Sequence, residues 1–368
     1  MRDTDKESGT SRRVTSKDVA KQAGVSRTTV SLVLNKVEGT QISGETRQRV
    51  IQAATDLGYV PEAAAQALVS RRSHFIGLIL TRSPHHIATD AFLTQIMHSL
   101  IKRVRKSGMR LLIDIVEEKH NRETYLELAK GRRIDGILIS GPRYDDQALE
   151  ALREISFPMV LMGDIPGEDY YSVDVDNRAA ARCAVEHLIE LGYTRIACIT
   201  NAPLSYTAAG ARLAGYRQAL EARDLPYDEN LVRYGDFDPQ SGYDCMKSLL
   251  DMTPVPSAVF VASDVVAFGA MRAIREQGLN IPADIAVVGF DDVPFACYID
   301  PPLTTVRLPA ADLAYKASDM LIQLIQGEEP PERKILLGTQ LITRASCGSS
   351  EPDNQQRRAN LDRSEVKD

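Results

Sequence analysis

Long apolar runs are absent: no part of the 368-residue sequence approaches the ~20 apolar residues that a membrane-spanning helix needs. The first 13 residues are polar and lack the apolar stretch of a secretory signal, so we expect a cytoplasmic protein. Cysteine is scarce, with five residues that lie at least 15 positions apart. This spacing indicates reduced, structural thiols and argues against a disulfide framework or a zinc cage.

Sequence patterns of catalysis are also missing. The chain has no Gly-x-Ser-x-Gly elbow, no P-loop and no His-Glu-x-x-His motif. Its six histidines show no metal-ligand spacing, and the adjacent His85 and His86 would point apart on most backbones. We therefore predict a protein that is not an enzyme and that uses no cofactor or metal.

What the chain does have is an ordinary globular composition with an uneven distribution of charge. Hydrophobic residues make up 43% and charged residues 26%, and the length predicts two or three domains. Residues 1–72 hold 12 basic and 8 acidic residues, whereas the rest hold 32 basic and 42 acidic ones. A small basic module on a large acidic body predicts a nucleic-acid contact confined to the N-terminus. The alternative is a merely solvated, charged segment.

Residues 14–60 predict three short helices after a polar tail at 1–13. Thr15 and Asp18 form a capping-box pattern, Gly24 allows a tight turn, and Ser26 can cap the second helix. A third helix begins after Ser43 and ends before Gly58.

The first two of these helices, DVAKQAGVSRTTVSLVLN (18–35), have the spacing of a helix-turn-helix. A helical hairpin of no special purpose is the alternative. The outward positions of the second helix favour DNA binding, because they carry side chains that reach base edges or phosphates: Arg27, Thr28, Thr29, Ser31 and Asn35.

Residues 61–72 read as a conditional hinge helix and linker. Pro61 stands where helices begin, and an alanine-rich run follows to Leu68. About eight residues are too few for a helix that is stable alone in water. The basic pair Arg71–Arg72 comes next.

From residue 73 to 348 short apolar strands alternate with amphipathic helices. The predicted strands are 75–80, 111–115, 134–139, 158–162, 195–200, 257–261 and 285–289, and the predicted helices include 92–106, 178–191, 209–222, 239–250 and 264–277. This alternation predicts parallel sheets covered on both faces. The strands are too many for one compact sheet, so we expect two α/β lobes, divided near 163–176, with a ligand cleft between them. Residues 349–368 are polar, which predicts a disordered tail without a heptad zipper.

The ordered blocks of nearly the whole chain resemble the lac repressor and purine repressor family of bacterial transcription regulators. The blocks are VTSKDVAKQAGVSRTTVSLVLN (14–35), ETRQRV (45–50), LGYVP (57–61), IGLIL (76–80), RIDGILISG (133–141), VDVDNRAAARCAVEHLIELGYTRIACI (173–199), ARLAGYRQAL (211–220), ASDVVAFGAMRAIREQGLNIPADIAVVGFDD (262–292) and PPLTTVR (301–307). The resemblance implies a small all-α helix-turn-helix domain and an α/β core, like that of periplasmic binding proteins, with two doubly wound parallel-sheet lobes. It also implies three crossings between the lobes, the last near 307–309.

The same resemblance implies roles in DNA binding. Arg27 and Thr28 match positions that read operator bases, and Leu68 matches a leucine that is wedged into the minor groove. The other matching DNA positions are Thr15, Ser26, Ser31, Leu32, Asn35 and Tyr59. Leu32 departs from the family, since many relatives have arginine there, and so does Glu62, where relatives often have asparagine.

In the core, the resemblance implies an effector clamp. Arg212 would fix ligand oxygens, Asp291 would accept hydroxyl or amine protons, and Phe237 would stack on the ligand ring. Further positions that match ligand contacts are Ser263, Asp264, Tyr206, Asp90 and Phe92. For any single charged residue the alternative is a solvated surface position. Asp164 departs from the family pattern, which has Asp-Arg or Gly-Arg at 163–164.

We therefore predict a homodimeric repressor that binds a palindromic operator and responds to a small molecule, with a sugar favoured and a purine as the alternative. The sequence leaves open whether the effector releases the operator or is needed to bind it. A transporter's solute-binding protein would share the core but would need a signal peptide and no helix-turn-helix. An enzyme on a doubly wound fold is a further, weaker alternative.

Overall fold

The computed structural model describes residues 14–35, 39–60, 72–82, 84–116 and 121–349. The chain divides into two compact units, Met1–His74 and Phe75–Asp368. The predicted hinge helix with Leu68 and the C-terminal tail from residue 350 lie outside the described residues.

The first unit contains three helices, α1 (Ser16–Ala23), α2 (Arg27–Leu34) and α3 (Gly44–Asp56). Local signals set their ends, since the Asp18 carboxylate accepts from the Thr15 backbone N–H at 2.9 Å and the Ser26 hydroxyl accepts from the Thr29 N–H at 3.0 Å. Gly24 ends α1 with a φ of 66°. Buried residues from all three helices form one core, namely Val19, Ala20, Ala23, Val30, Val33, Val50, Ala53 and Ala54.

The second unit begins with a lobe built on a six-stranded parallel sheet. Its strands are β1 (Phe75–Leu80), β2 (Arg110–Ile115), β3 (Gly136–Ser140), β4 (Met159–Met162), β5 (Ser172–Val175) and β11 (Lys334–Leu337), in the order β11-β5-β4-β3-β1-β2. Its helices are α4 (Pro84–Thr89), α5 (Ala91–Lys106), α6 (Asn121–Lys130), α7 (Gln147–Glu154) and α12 (Ala310–Gln326). Helices α5 and α12 bury one face of the sheet and α6 and α7 bury the other, which explains its almost continuous apolar strands.

The second lobe repeats this arrangement. Its strands are β6 (Ile196–Thr200), β7 (Val232–Tyr234), β8 (Ala258–Val261), β9 (Ala286–Asp291), β10 (Thr304–Arg307) and β12 (Gln340–Ile342), in the order β12-β10-β9-β8-β6-β7. Only β12 is antiparallel to its neighbour among these strands. Helices α8 (Asn177–Glu190) and α9 (Thr207–Glu221) cover one face, and α10 (Pro239–Leu250) and α11 (Asp264–Glu276) cover the other. The prediction of two parallel-sheet lobes is confirmed.

The chain crosses between the lobes three times, but the expected place of the last crossing was wrong. The crossings follow β5 at residue 176, β10 at 308–309 and β11 at 338–339. The last therefore lies some thirty residues beyond 307–309. Both β11 and β12 are short, half-exposed edge strands, so neither carries the apolar run by which the central strands were predicted. Among the described residues no helix is both long enough and apolar enough to span a membrane.

Candidate functional site

The N-terminal end of α2 presents the side chains predicted to read DNA. Arg27 and Thr28 are exposed, as is Thr15 before α1. Ser31 and Asn35 lie one turn apart further along the helix, and the Asn35 amide donates to the Ser31 hydroxyl at 3.1 Å. A short run of exposed basic and hydroxyl groups at a helix N-terminus suits contacts with base edges and phosphates.

Three other predicted DNA residues have mixed placements. Ser26 is exposed, but its hydroxyl already caps α2. Leu32 is partly buried on α2, and Tyr59 packs against the core of the first unit.

In the second unit, a cavity of about 110 Å³ lies between the two lobes. Seven of the eight predicted effector residues line it, namely Asp90, Phe92, Tyr206, Arg212, Phe237, Ser263 and Asp291. The lobes contact each other at its edge, because Tyr144 N–H donates to Ser205 O at 3.0 Å and Thr207 N–H donates to Pro142 O at 3.2 Å. Residues that are distant in the sequence thus surround one cavity.

Arg212 is held rigidly in the wall of this cavity. Its Nε donates to Asn177 Oδ1 at 2.9 Å and its Nη1 donates to Ala262 O at 2.6 Å. The guanidinium carbon lies 3.8 Å from the centre of the Phe290 ring. Burial lowers the pKa of Arg212, and the neighbouring carboxylates oppose that shift. The result is a preorganised cation.

Asp291 ends β9 and faces Arg212, with 3.5 Å between Oδ1 and Nη1. Burial raises the pKa of Asp291 to about 6, against the opposing effect of Arg212. Its φ is 114°, and Phe237, with a φ of 60°, shares this rare conformation for a non-glycine residue. Such strained backbone occurs preferentially at ligand clamps, which supports a binding role for both residues.

Asp264 is the exception to the predicted effector set, because it does not line the cavity. Its carboxylate accepts from Thr305 Oγ1 at 2.6 Å and from the Val293 N–H at 2.9 Å. It is fully buried, and burial together with the charge of Asp291 raises its pKa well above the usual range. Asp264 therefore joins the segment that follows β9 to strand β10, behind the cavity wall.

Two residues of the cavity wall were not predicted from the sequence. Arg82 forms a short ion pair with Asp90, and its guanidinium carbon lies 4.5 Å from the centre of the Phe237 ring. Asn201 is 7% exposed, and its Oδ1 is among the few buried polar atoms of the described residues with no hydrogen-bond partner. Asn201 directly follows β6 and Arg82 lies two residues after β1, so their position at a strand's carboxyl end could have identified them.

Phe237 was expected to stack on the ligand ring, but other side chains already contact its ring. Arg82 covers its ring, and Tyr206 contacts it edge-on with 4.8 Å between ring centres. A ligand that stacks on the ring face covered by Arg82 has to displace the guanidinium. A second cavity of about 480 Å³ adjoins the first and shares Arg82 and Tyr206 with it.

Asp164, the departure at 163–164, does not line either cavity. Its carboxylate accepts from Lys334 Nζ at 2.8 Å and from Ser172 Oγ at 3.2 Å, so it links β5 to β11 at the edge of the first sheet. Within the described residues, no group of three or more histidine, cysteine, aspartate or glutamate side chains could hold a metal ion.

Two family models match the chain. Residues 15–62 match bacterial regulatory proteins of the lacI family, and residues 185–347 match a periplasmic binding protein-like domain. The HTH-type transcriptional regulator CelR of Thermobifida fusca is 36% identical over 338 residues, which cover 91% of this chain and 98% of that protein. The HTH-type transcriptional repressor PurR of Haemophilus influenzae (strain PittEE) is 33% identical over 340 residues, covering 91% and 99%.

Solved structures agree with these matches. A complex of the transcriptional regulator CelR with cellobiose has a TM-score of 0.70 and 35% identity, covering 91% of this chain and 100% of that chain. The lac repressor dimer bound to operator and the anti-inducer ONPF has a TM-score of 0.79 and 32% identity, covering 92% and 100%.

Proposed function

Because the chain belongs to the lacI family of bacterial transcriptional regulators, we propose that it is a cytoplasmic repressor whose operator binding is controlled by a neutral sugar. The observation that carries the sugar assignment is the charge of the cavity between the lobes. Its charged wall residues are two cations, Arg82 and Arg212, and two carboxylates, Asp90 and Asp291. These two positive and two negative charges cancel, so the cavity wall has no net positive charge to bind a phosphate or carboxylate ligand.

A neutral polyol suits the remaining hydrogen-bonding groups. Arg212 presents donors and Asp291 presents acceptors on one side, and the unpartnered Asn201 Oδ1 adds an acceptor. The similarity to a regulator solved with cellobiose supports the same ligand class, and the adjoining cavity of about 480 Å³ offers room for a second ring.

The effector class is tested by a thermal-shift panel of neutral mono- and disaccharides, their phosphates, and purine bases. A ligand at 100 times its Kd stabilises the folded protein by about 2.7 kcal/mol, so a true effector raises Tm by several degrees. We expect at least one neutral sugar to do so and the corresponding sugar phosphate to have no effect. A shift with purines alone, or with sugar phosphates alone, would contradict the proposal.

On the DNA side, we propose that the protein binds as a homodimer, each copy placing α2 in the major groove of one half of a palindromic operator. The similarity to a lac repressor dimer bound to operator supports this arrangement. Leu68, outside the described residues, is proposed as a wedge in the minor groove. Sugar binding would change the geometry of the lobes and release the operator, which makes the sugar an inducer.

Arg27 is the residue of α2 best suited to pair with guanine. We expect Arg27→Ala to weaken operator binding by about 1–3 kcal/mol, because a bidentate contact is lost, and to relax sequence preference at one base pair. Fluorescence anisotropy with operator and random duplexes measures the difference. Arg105→Ala, an exposed arginine on α5, is the control and should leave both affinities unchanged. An equal loss on both duplexes would identify Arg27 as a phosphate contact.

A further inference from the structure

A chain of three hydrogen-bonded side chains leads from the cavity to the first crossing between the lobes. Arg212 Nε donates to Asn177 Oδ1 at 2.9 Å, and Asn177 Nδ2 donates to Asp174 Oδ1 at 3.0 Å. Arg212 lines the cavity, whereas Asn177 and Asp174 are absent from its wall. The side chain that would hold the sugar is thus connected to residues that no sugar reaches.

The chain of contacts spans the boundary between the lobes. Asp174 belongs to β5 in the sheet of the first lobe, and Asn177 is the first residue of α8 in the second lobe. The hydrophobic cores also change at Asp174, because Val173 before it packs in the core of the first lobe and Val175 after it packs in that of the second. The Asp174–Asn177 contact therefore joins a strand of one lobe to a helix of the other.

The chemistry of the two neighbours fixes the orientation of Asn177. Arginine has only donors, so the amide oxygen must face Arg212, and the amide nitrogen then faces the carboxylate of Asp174. Asn177 Nδ2 also lies 3.3 Å from Val175 O, and the residue is 5% exposed. Aspartate is similar in size and keeps an acceptor for Arg212, but it sets a carboxylate against that of Asp174 where the amide donor was; the smaller alanine loses both contacts.

We propose that Asn177 is a positioning residue that transmits the occupancy of Arg212 to the first crossing, and so couples sugar binding to the relative position of the lobes. This inference rests on the proposed function, in which a sugar on Arg212 controls operator binding. A sugar that accepts hydrogen bonds from Arg212 changes the hydrogen bond between Arg212 and Asn177. Packed interfaces between lobes favour two discrete arrangements over gradual deformation. Asn177 therefore acts on both affinity and response, and Asp174 acts on response alone.

The test separates sugar affinity from operator release. The probe is the neutral sugar that gives the largest thermal shift with the wild-type protein. Isothermal titration calorimetry gives its Kd, and anisotropy gives the ratio of operator affinities without sugar and at saturating sugar. The variants are Asn177→Ala, Asn177→Asp and Asp174→Ala. Asp176→Ala is the matched control, because its carboxylate lies at the same crossing but caps α8 by accepting from the Ala179 N–H at 2.9 Å.

We expect Asn177→Ala to raise the sugar Kd by about tenfold or more, as loss of a hydrogen bond to a charged group does. Asp174→Ala should keep the sugar Kd within roughly threefold of wild type but lose most of the operator release at saturating sugar, because the Arg212–Asn177 hydrogen bond remains and the link to the crossing is cut. Asn177→Asp should lose operator release as well, because it sets a second carboxylate against that of Asp174 where the amide donor was. Asp176→Ala should lower Tm through the lost cap yet release the operator normally.

Normal operator release by Asn177→Asp and Asp174→Ala would overturn the relay and leave the sugar proposal intact. Loss of release in Asp176→Ala as well would also overturn it, because any loosening of the crossing would then suffice. If no sugar shifts the wild-type protein, the proposed function fails and the relay fails with it.

Discussion

Arg212→Ala and Asp291→Ala are each expected to abolish the response to sugar while operator binding without sugar persists. The two side chains face each other at 3.5 Å in the cavity wall, and both are buried. Each side chain offers charged hydrogen-bonding groups to the proposed sugar, and loss of one hydrogen bond to a charged group costs about 1.5–3 kcal/mol. At 1.4 kcal/mol per factor of ten, the sugar Kd should rise about 10-fold to 100-fold for each hydrogen bond lost. The variants would be repressors that sugar cannot release.

Arg217→Ala is the matched control for Arg212→Ala. Arg217 lies on the same helix, α9, and also pairs with a carboxylate, at 2.7 Å from Glu221, but its side chain is 60% exposed. Its removal should leave the sugar Kd unchanged. Near-wild-type sugar affinity in either Arg212→Ala or Asp291→Ala would show that the sugar binds elsewhere.

The same site gives a pH dependence whose sign follows from Asp291. Burial raises the pKa of Asp291 to about 6, so the carboxylate is mostly ionised at pH 7 and accepts hydroxyl protons well. As pH falls through about 6 the group becomes protonated and loses acceptor strength, so sugar affinity should fall as well. Asp291→Asn should bind sugar more weakly at pH 7.5 and lose this part of the pH dependence in calorimetric titrations.

A fragment that begins at Ser73 is expected to bind no operator, to keep the full protein's sugar affinity and to remain a dimer. The basic surplus and α1 to α3 all precede this residue, whereas the remaining chain carries 42 acidic and 32 basic side chains up to the C-terminus. Both sheets and the whole cavity wall lie after it. Gel shift, calorimetry and analytical ultracentrifugation measure the three properties.

Each property of the fragment can fail separately. Retained operator affinity would place DNA binding outside residues 1–72. A monomeric fragment would mean that the dimer depends on the N-terminal unit, and a tetramer would reveal an interface that the polar tail after residue 348 does not predict. The full-length protein at the same concentrations is the control.

Much of the local structure followed from the sequence, because helix ends and buried strands depend on neighbours a few residues away. The capping groups at Thr15 and Ser26, the turn at Gly24 and the seven apolar strands all lie where their local patterns put them. The location of the cavity-lining residues Ser263 and Asp291 at strand ends also followed, since parallel strands bring their carboxyl ends to one edge.

Only the tertiary structure shows which residues from distant segments meet in the cavity wall and at the last crossing between the lobes. Ser263 and Asp264 are adjacent in sequence, yet only Ser263 lines the cavity, because Thr305 and the Val293 N–H hold the Asp264 carboxylate behind the wall. Arg82 covers Phe237 from the other lobe, although 155 positions separate them. The final crossing at 338–339 depends on two short edge strands that complete different sheets. Contacts of this kind leave no periodic pattern in the sequence, since their energy comes from side chains that meet only after both lobes have folded.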